Sequence, residues 1–324
     1  MLKSIARRIV GGGHGATARF TLPPVVFEVA PGFVSGFAVE GSKRAGRRIR
    51  KIALQPLSPQ SLDPHLSRAN ICNGEEFGRA TAGLISAVGN GDGRFGLVLP
   101  DGAMRVALLS FESLPHDYES AEALIRWRMK DKLPFNAEEA RATFQVLAES
   151  PGRIEVLALA MRDSVIGEYE SAFAALEGEA ALIVPAAVAL LPLLPDSHSS
   201  AQVLIHVCGN WLTVVVTSGS VPYAWRTREL DPLDVTNYER EIASEAARVL
   251  ASAGDRTQAE VGSVWLCTRP PATSDLAAVI ASAMDREVTL MRPEPGLASA
   301  LGQDDRSRFE QFGAPIAGLV ANAS

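Results

Sequence analysis

The chain is poor in the features that would place it in several large classes. Its 324 residues hold three cysteines, Cys72, Cys208 and Cys267. That odd number, without CxxC spacing, argues against a disulfide framework or a zinc cluster and suits a reducing, cytoplasmic setting. A long hydrophobic run is also missing. The longest apolar stretch, Ala180 to Pro195, is broken by Pro185 and Pro192 and falls short of the ~20 residues that cross a bilayer. Positive charge is not in excess: 31 Lys and Arg against 37 Asp and Glu give a net charge of −6, so no general nucleic-acid surface is expected. The basic N-terminus, with Lys3, Arg7 and Arg8, runs into Gly11 to Gly15 instead of an apolar h-region, so no signal peptide is expected. Neither G-x-S-x-G nor H-E-x-x-H occurs, and the Gly11 to Gly15 tract lacks the Gly-Lys-Ser/Thr ending of a P-loop.

What is present is the composition of a globular protein of about two domains, 47% hydrophobic and 21% charged. A short basic helix, Leu2 to Val10, and the glycine tract read as a tail over residues 1–24. Strands then follow at Val25 to Val29, Gly36 to Glu40 and Arg50 to Leu54, separated by turn signals, which predicts a β-meander. A helix from about Gly74 places Phe77, Ala80, Leu84, Ile85 and Val88 on one face. Further on, the spacing predicts strand Met104 to Phe111, helix Asp117 to Leu133, strands Ala142 to Leu147 and Ile154 to Met161, helix Asp163 to Leu176 and strand Ala181 to Val184. This is a ferredoxin-like order, although the last helix and strand also suit a neighbouring sheet. In the first of these helices Ala121, Ile125, Met129 and Leu133 form one i,i+4 row that has to pack on a sheet. After a Ser-rich linker near 195–200, a second meander begins (Val203 to Val207, Trp211 to Thr217, Tyr223 to Glu229). It is followed by a helix from about Thr236, strand Ser263 to Cys267 and a helix Thr273 to Ala283. Both halves open alike, which predicts an internal duplication of topology.

Two meander-plus-helix halves with an α+β insertion resemble actin-like ATPases, and short motifs point to one branch. These are Gly96-Leu97-Val98-Leu99-Pro100-Asp101, Leu114-Pro115, Ile125-Arg126-Trp127, Leu133-Pro134-Phe135, Phe144-Gln145-Val146-Leu147 and the ending Ala314-Pro315-Ile316-Ala317-Gly318-Leu319. In this order they resemble the PilM family of type IV pilus assembly proteins over about residues 25–320. The resemblance implies an α/β, actin-like (ribonuclease H-like) duplicated fold with an inserted α+β subdomain. It further implies a first core subdomain from residues 25–101, 163–200 and 314–324, an insertion over 102–162, and a second core subdomain over 201–313.

The family's ligand is ATP with Mg²⁺, held by two hairpin turns that supply backbone N–H donors and acids. The residues at those positions depart from the pattern. The first turn reads Glu28-Val29-Ala30-Pro31-Gly32, with Ser35 where a Lys is expected, and Pro31 removes a donor. The second reads His206-Val207-Cys208-Gly209-Asn210-Trp211, with a neutral His206 in place of an acid and a bulky Trp211 in the turn. The adenosine loop, normally a Gly-Gly pair, is Cys267-Thr268-Arg269-Pro270-Pro271. The small subdomain that walls the cleft is missing between Arg228 and the next helix, which should open the cleft to water. The expectation is a pseudo-ATPase with no cofactor; the alternatives are an active actin-like ATPase or the cytoplasmic part of a type II secretion L-type protein.

The resemblance also implies a partner, the N-terminal cytoplasmic tail of a PilN-like single-span inner-membrane protein, lying between the first core subdomain and the insertion. Pilus ATPases are further implied partners. For the tail, Trp127, Leu133, Pro134 and Phe135 are the apolar candidates, with core packing of a helix end as the other reading. The basic run Lys43, Arg44, Arg47, Arg48, Arg50 and Lys51 reads either as a solvated hairpin tip or as a contact for anionic lipid headgroups. His206 and Cys208 share one face of a strand with no third ligand nearby, so two inward residues are expected and no metal site. Gly91 to Gly96 matches G-x-G-x-x-G in the wrong context and reads as a loop. The expected role is a non-catalytic cytoplasmic adaptor at the inner face of the inner membrane.

Overall fold

The computed structural model describes residues 21–42, 46–89, 91–195, 200–219, 221–231, 237–257, 261–271 and 275–323. The expected N-terminal helix and glycine tract, and Lys43 and Arg44 of the basic run, lie outside them. The chain begins with β1 (Val25–Ala30), β2 (Phe33–Ser42), β3 (Gly46–Pro56), α1 (Gly74–Val88) and β4 (Arg94–Leu99). Every residue of β1 is buried, as a central strand covered on both faces requires. Asn73 starts α1 by accepting the Glu76 N–H on its side chain, and Phe77, Ala80, Leu84 and Val88 pack down on the sheet.

The insertion follows: β5 (Arg105–Phe111), α2 (Tyr118–Met129), β6 (Ala140–Ser150) and β7 (Arg153–Arg162). Its three strands form an antiparallel sheet of order β5-β7-β6. Period-two alternation makes β7 serve two cores. Val156, Ala158 and Ala160 join Ala121, Ile125 and Met129 of α2, while Leu157, Leu159 and Met161 join the core of the first half. The chain then returns through α3 (Asp163–Ala172), β8 (Glu179–Pro185) and α4 (Ala186–Leu190). Because β8 pairs with β4 in parallel, the last strand of the ferredoxin-like order belongs to the first sheet.

The second half contains β9 (Ala201–Cys208), β10 (Trp211–Ser218), β11 (Val221–Glu229), α5 (Tyr238–Thr257), β12 (Val261–Arg269), α6 (Leu276–Met284) and β13 (Val288–Leu290). Sheet orders β3-β2-β1-β4-β8 and β11-β10-β9-β12-β13 are the same arrangement twice. In each, an antiparallel meander is extended by two parallel strands. The chain ends in α7 (Gln303–Phe312) and α8 (Ala314–Asn322). The segment from Ala298 to Phe309, which the sequence places in the second half, packs on the first: Phe309, Leu301 and Ala298 share a core with Phe37, Ile49 and Ile52. No helix is expected there from the sequence, because Phe309 is the single buried residue of α7 and one apolar position makes no periodicity.

Between the halves, Leu190 and Ala314 from the first pack with Leu204, Val215, Cys267 and Met291 from the second. No helix among the described residues is long and apolar enough to cross a membrane.

Candidate functional site

The C-terminal ends of the central strands of both sheets meet, and four charged or titratable side chains are buried there. Glu28 from β1 pairs with Arg269 at the end of β12, Nε to Oε1 at 2.7 Å. Arg269 also donates to the carbonyls of Gln311 and Phe312, each at 3.4 Å. Beside this pair, His206 Nδ1 of β9 lies 2.7 Å from Asp101 Oδ2 in the turn after β4. The other oxygen of Asp101 accepts the Ala187 N–H at the start of α4, at 2.9 Å. Side-chain exposure is 1% for Glu28, 2% for Arg269, 0% for His206 and 3% for Asp101. At these four side chains the cleft is not open to water, contrary to what the missing subdomain leads one to expect: the two halves close on them.

Burial pushes the Glu28 carboxyl above its ordinary value, opposed by the positive charge of Arg269. Burial drives Cys208 well above the ordinary thiol range and Cys267 up to about 11, so both are neutral, unreactive thiols. Cys208 packs with Ala30 and Phe33. Among the described residues no group of three His, Cys, Asp or Glu side chains is placed to hold a metal ion.

The two hairpin turns touch each other. Gly209 adopts φ +57°, and a Cβ there would stand 2.9 Å from Pro31 Cγ. The Gly209 N–H donates to the Arg269 carbonyl at 3.0 Å, and its carbonyl accepts the Tyr238 hydroxyl at 2.6 Å. Trp211 turns out of the site. Its indole N–H donates to the Pro64 carbonyl at 3.0 Å, and its ring covers Gly102, where a Cβ would come within 2.2 Å. Ala30 and Ser35 are buried in the neighbouring strands, Ser35 opposite Glu28 in register. The loop Cys267 to Pro271, with Arg269 of the buried pair in it, lines a cavity of about 580 Å³ beside the site, together with Leu276, Met291 and Phe312.

A Mg²⁺-triphosphate needs free N–H groups converging from both turns and an acid free to hold the ion. Here one turn carries Pro31, the Gly209 N–H is taken by Arg269, Glu28 faces a guanidinium, and His206 is bound to Asp101. The residues do not fit that ligand. Sequence reasoning misses Asp101 and Gly102 at this site. Asp101 enters it only through the Pro100-Asp101 turn motif, yet an acid directly after the buried strand β4 is a usable signal.

The partner-binding candidates separate into two kinds. Trp127 is 57% exposed on the outer face of α2, with the Lys130 ammonium 4.9 Å from its ring centre. Leu133 and Phe135 are partly buried against the core of the insertion, and Pro134 is exposed. Phe135 lies under the Arg162 guanidinium, 5.8 Å from the ring centre. Arg162 in turn donates to the Ser67 carbonyl in the first half. In the basic run, Arg47, Arg48, Arg50 and Lys51 sit along the edge strand β3. Arg47 is committed to the Ala323 carbonyl at 2.9 Å, and Arg48 lies 3.8 Å from Glu40.

No protein-family model and no curated protein matches the chain by sequence. Solved structures do match by shape. A chain of a PilM-PilN type IV pilus biogenesis complex superposes with a TM-score of 0.72 at 14% identity, over 94% of this chain and 99% of that one. The fold is actin-like and PilM-like. A Bacteroides thetaiotaomicron protein with an actin-like ATPase fold and unknown function follows at 0.51 and 8% identity, over 82% of this chain and 90% of that one. The cytoplasmic domain of EpsL, an inner-membrane component of the Vibrio cholerae type II secretion system, gives 0.45 at 10% identity, over 92% and 93%.

Proposed function

We propose that this PilM-like chain is a pseudo-ATPase that works as an adaptor in a type IV pilus or related secretion assembly. In this reading it sits in the cytoplasm at the inner face of the inner membrane and holds the N-terminal cytoplasmic tail of a PilN-like single-span protein. The observation that carries the reading is the pair of buried contacts, Glu28 with Arg269 and Asp101 with His206. They tie up one polar atom each of Glu28 and His206, which stand where an actin-like ATPase directs acids at phosphate and Mg²⁺, and leave Glu28 Oε2 and His206 Nε2 buried without a partner. A fold kept while its chemistry is closed off is a platform. Support for the partner class is the PilM-PilN complex, a chain of which superposes over nearly the whole length. Phe135, at the junction of the insertion with the first half, and Trp127, exposed on α2, are the apolar contacts assigned to the tail.

The test is calorimetric titration with a synthetic tail peptide from a single-span membrane protein encoded beside this chain. Binding by the wild type and a loss of about 2 kcal/mol or more in Trp127→Ala or Phe135→Ala is expected. No binding by the wild type would contradict the adaptor reading, and equal affinity across folded variants would remove these residues from the interface. Membrane contact is assigned to the edge strand β3 through Arg48, Arg50 and Lys51. Binding to phosphatidylglycerol vesicles should weaken as salt shortens the Debye length below about 10 Å; salt-insensitive binding would contradict the electrostatic account.

A further inference from the structure

A groove of about 780 Å³ separates the insertion from the second half, within the range of about 300–1,000 Å³ common for pre-formed ligand sites. One wall is the start of β5, Arg105 to Leu108, with Asp131 and Lys132 after α2. The other is Tyr223 to Arg226 of β11 and Glu245 to Ala253 of α5. The charges in it do not balance. Glu245, whose side chain is 1% exposed, takes three guanidinium groups: Arg226 at 2.5 Å, Arg248 at 2.6 Å and Arg228 at 3.3 Å. Burial pushes this carboxyl up, and the hydrogen bonds and charges of the arginines outweigh it and hold it below its usual value. Arg228 also pairs with Glu241, and Glu245 alone serves Arg226 and Arg248, each more than half exposed, which leaves them donors to spare.

Arg105 has no acid partner among the described residues. Its Nε is sealed from water without a hydrogen-bond partner, and burial alone draws its pKa down, with no neighbouring carboxylate to raise it. Arg105 is half-buried as a whole, and the desolvated, unpartnered Nε is a local cost to the free protein. In a chain of net charge −6, a groove with this local excess of arginine is set against the general trend. Between the cations, Val106, Leu108 and Trp225 are partly buried and apolar.

We propose that this groove binds an acidic, partly apolar peptide segment of a partner protein. Arg105 takes a carboxylate through its paired N–H donors, Arg226 and Arg248 steer the acidic chain, and Val106, Leu108 and Trp225 receive its apolar side chains. The cations come from three elements along a groove much larger than an inorganic anion, a spread that suits an extended peptide better than a compact phosphate. The site lies between the insertion and the second half; Asp131 and Lys132 in its wall directly precede Leu133, but none of the residues assigned to the membrane-protein tail lines it, so the proposal does not depend on that assignment.

The experiment uses the full chain and a fluorescein-labelled peptide of alternating Glu and Leu, read by fluorescence anisotropy, with an alternating Gln and Leu peptide as control. The wild type should bind the acidic peptide at least about tenfold more tightly than the neutral one. Arg105→Gln should abolish that preference while leaving the melting temperature of the free protein unchanged or raised, which a merely structural arginine would not do. Ser252→Glu, an exposed position in the same groove, should weaken the acidic peptide by like-charge repulsion without disturbing the fold. Wild-type affinity in both variants, absence of binding by the wild type, or binding of pyrophosphate in place of the peptide would each overturn the proposal.

Discussion

Taking away one member of the Glu28–Arg269 pair leaves the other buried and unpaired, a loss of about 3–5 kcal/mol. Arg269→Met and Glu28→Gln should each lower stability by that order, and the double variant should lose less than the sum of the two. Urea unfolding of the four proteins measures the coupling, and strict additivity would show that the pair is not one unit. Gly102 is the complementary case. The Trp211 ring occupies the space of a Cβ there, so Gly102→Ala should cost about 1–3 kcal/mol by overpacking. That cost should shrink in a Trp211→Leu background. At this scale the sequence is only half legible. The odd residues at 28, 206 and 269 stand out as departures from a phosphate-binding pattern, but their partners do not. Glu28 and Arg269 are 241 positions apart and His206 and Asp101 are 105 apart, and nothing local in either segment announces the other.

Elements with strong periodicity are legible, and those held by one contact are not. The i,i+4 row of α2 dictates through spacing alone which face is buried, and the run of β1, apolar but for Glu28, marks a strand buried on both faces. By contrast, α7 has only Phe309 to bury, and its place on the first sheet follows from tertiary packing. The first residue of α5 carries an element-scale prediction. Tyr238 donates to the Gly209 carbonyl, and burial, with minor charge effects, moves its hydroxyl from 10.0 up to about 12. An acid whose pKa is raised by folding contributes stability that is intact below pH 10 and lost as pH rises from about 10 to about 12. Tyr238→Phe should therefore flatten the alkaline loss of melting temperature in that window, and an unchanged slope would contradict the burial argument. On α2, Trp127→Ala should leave the melting temperature within about 1 °C, since the side chain is exposed, so any loss of tail binding can be read as lost contact.

For the whole molecule, duplication is the organising fact: two sheets of one topology face each other, and the line where their strand ends meet is where an actin-like ATPase holds its nucleotide. The repeated order of turns and apolar runs makes that architecture readable from sequence. Whether the line between the halves is open is not readable, because it depends on Pro31 meeting Gly209 and on which charges find each other across it. In the structure the turns touch and the two charged pairs are buried, with apolar packing behind them from Leu190, Leu204, Val215 and Met291. To seat its phosphates between the turns, a nucleotide would have to break two buried pairs and separate two touching turns. Isothermal titration of the purified protein with Mg²⁺-ATP tests this central claim most directly. The account predicts no saturable heat, whereas a dissociation constant in the micromolar range, about −8 kcal/mol, would contradict it and restore the reading of an active nucleotide site.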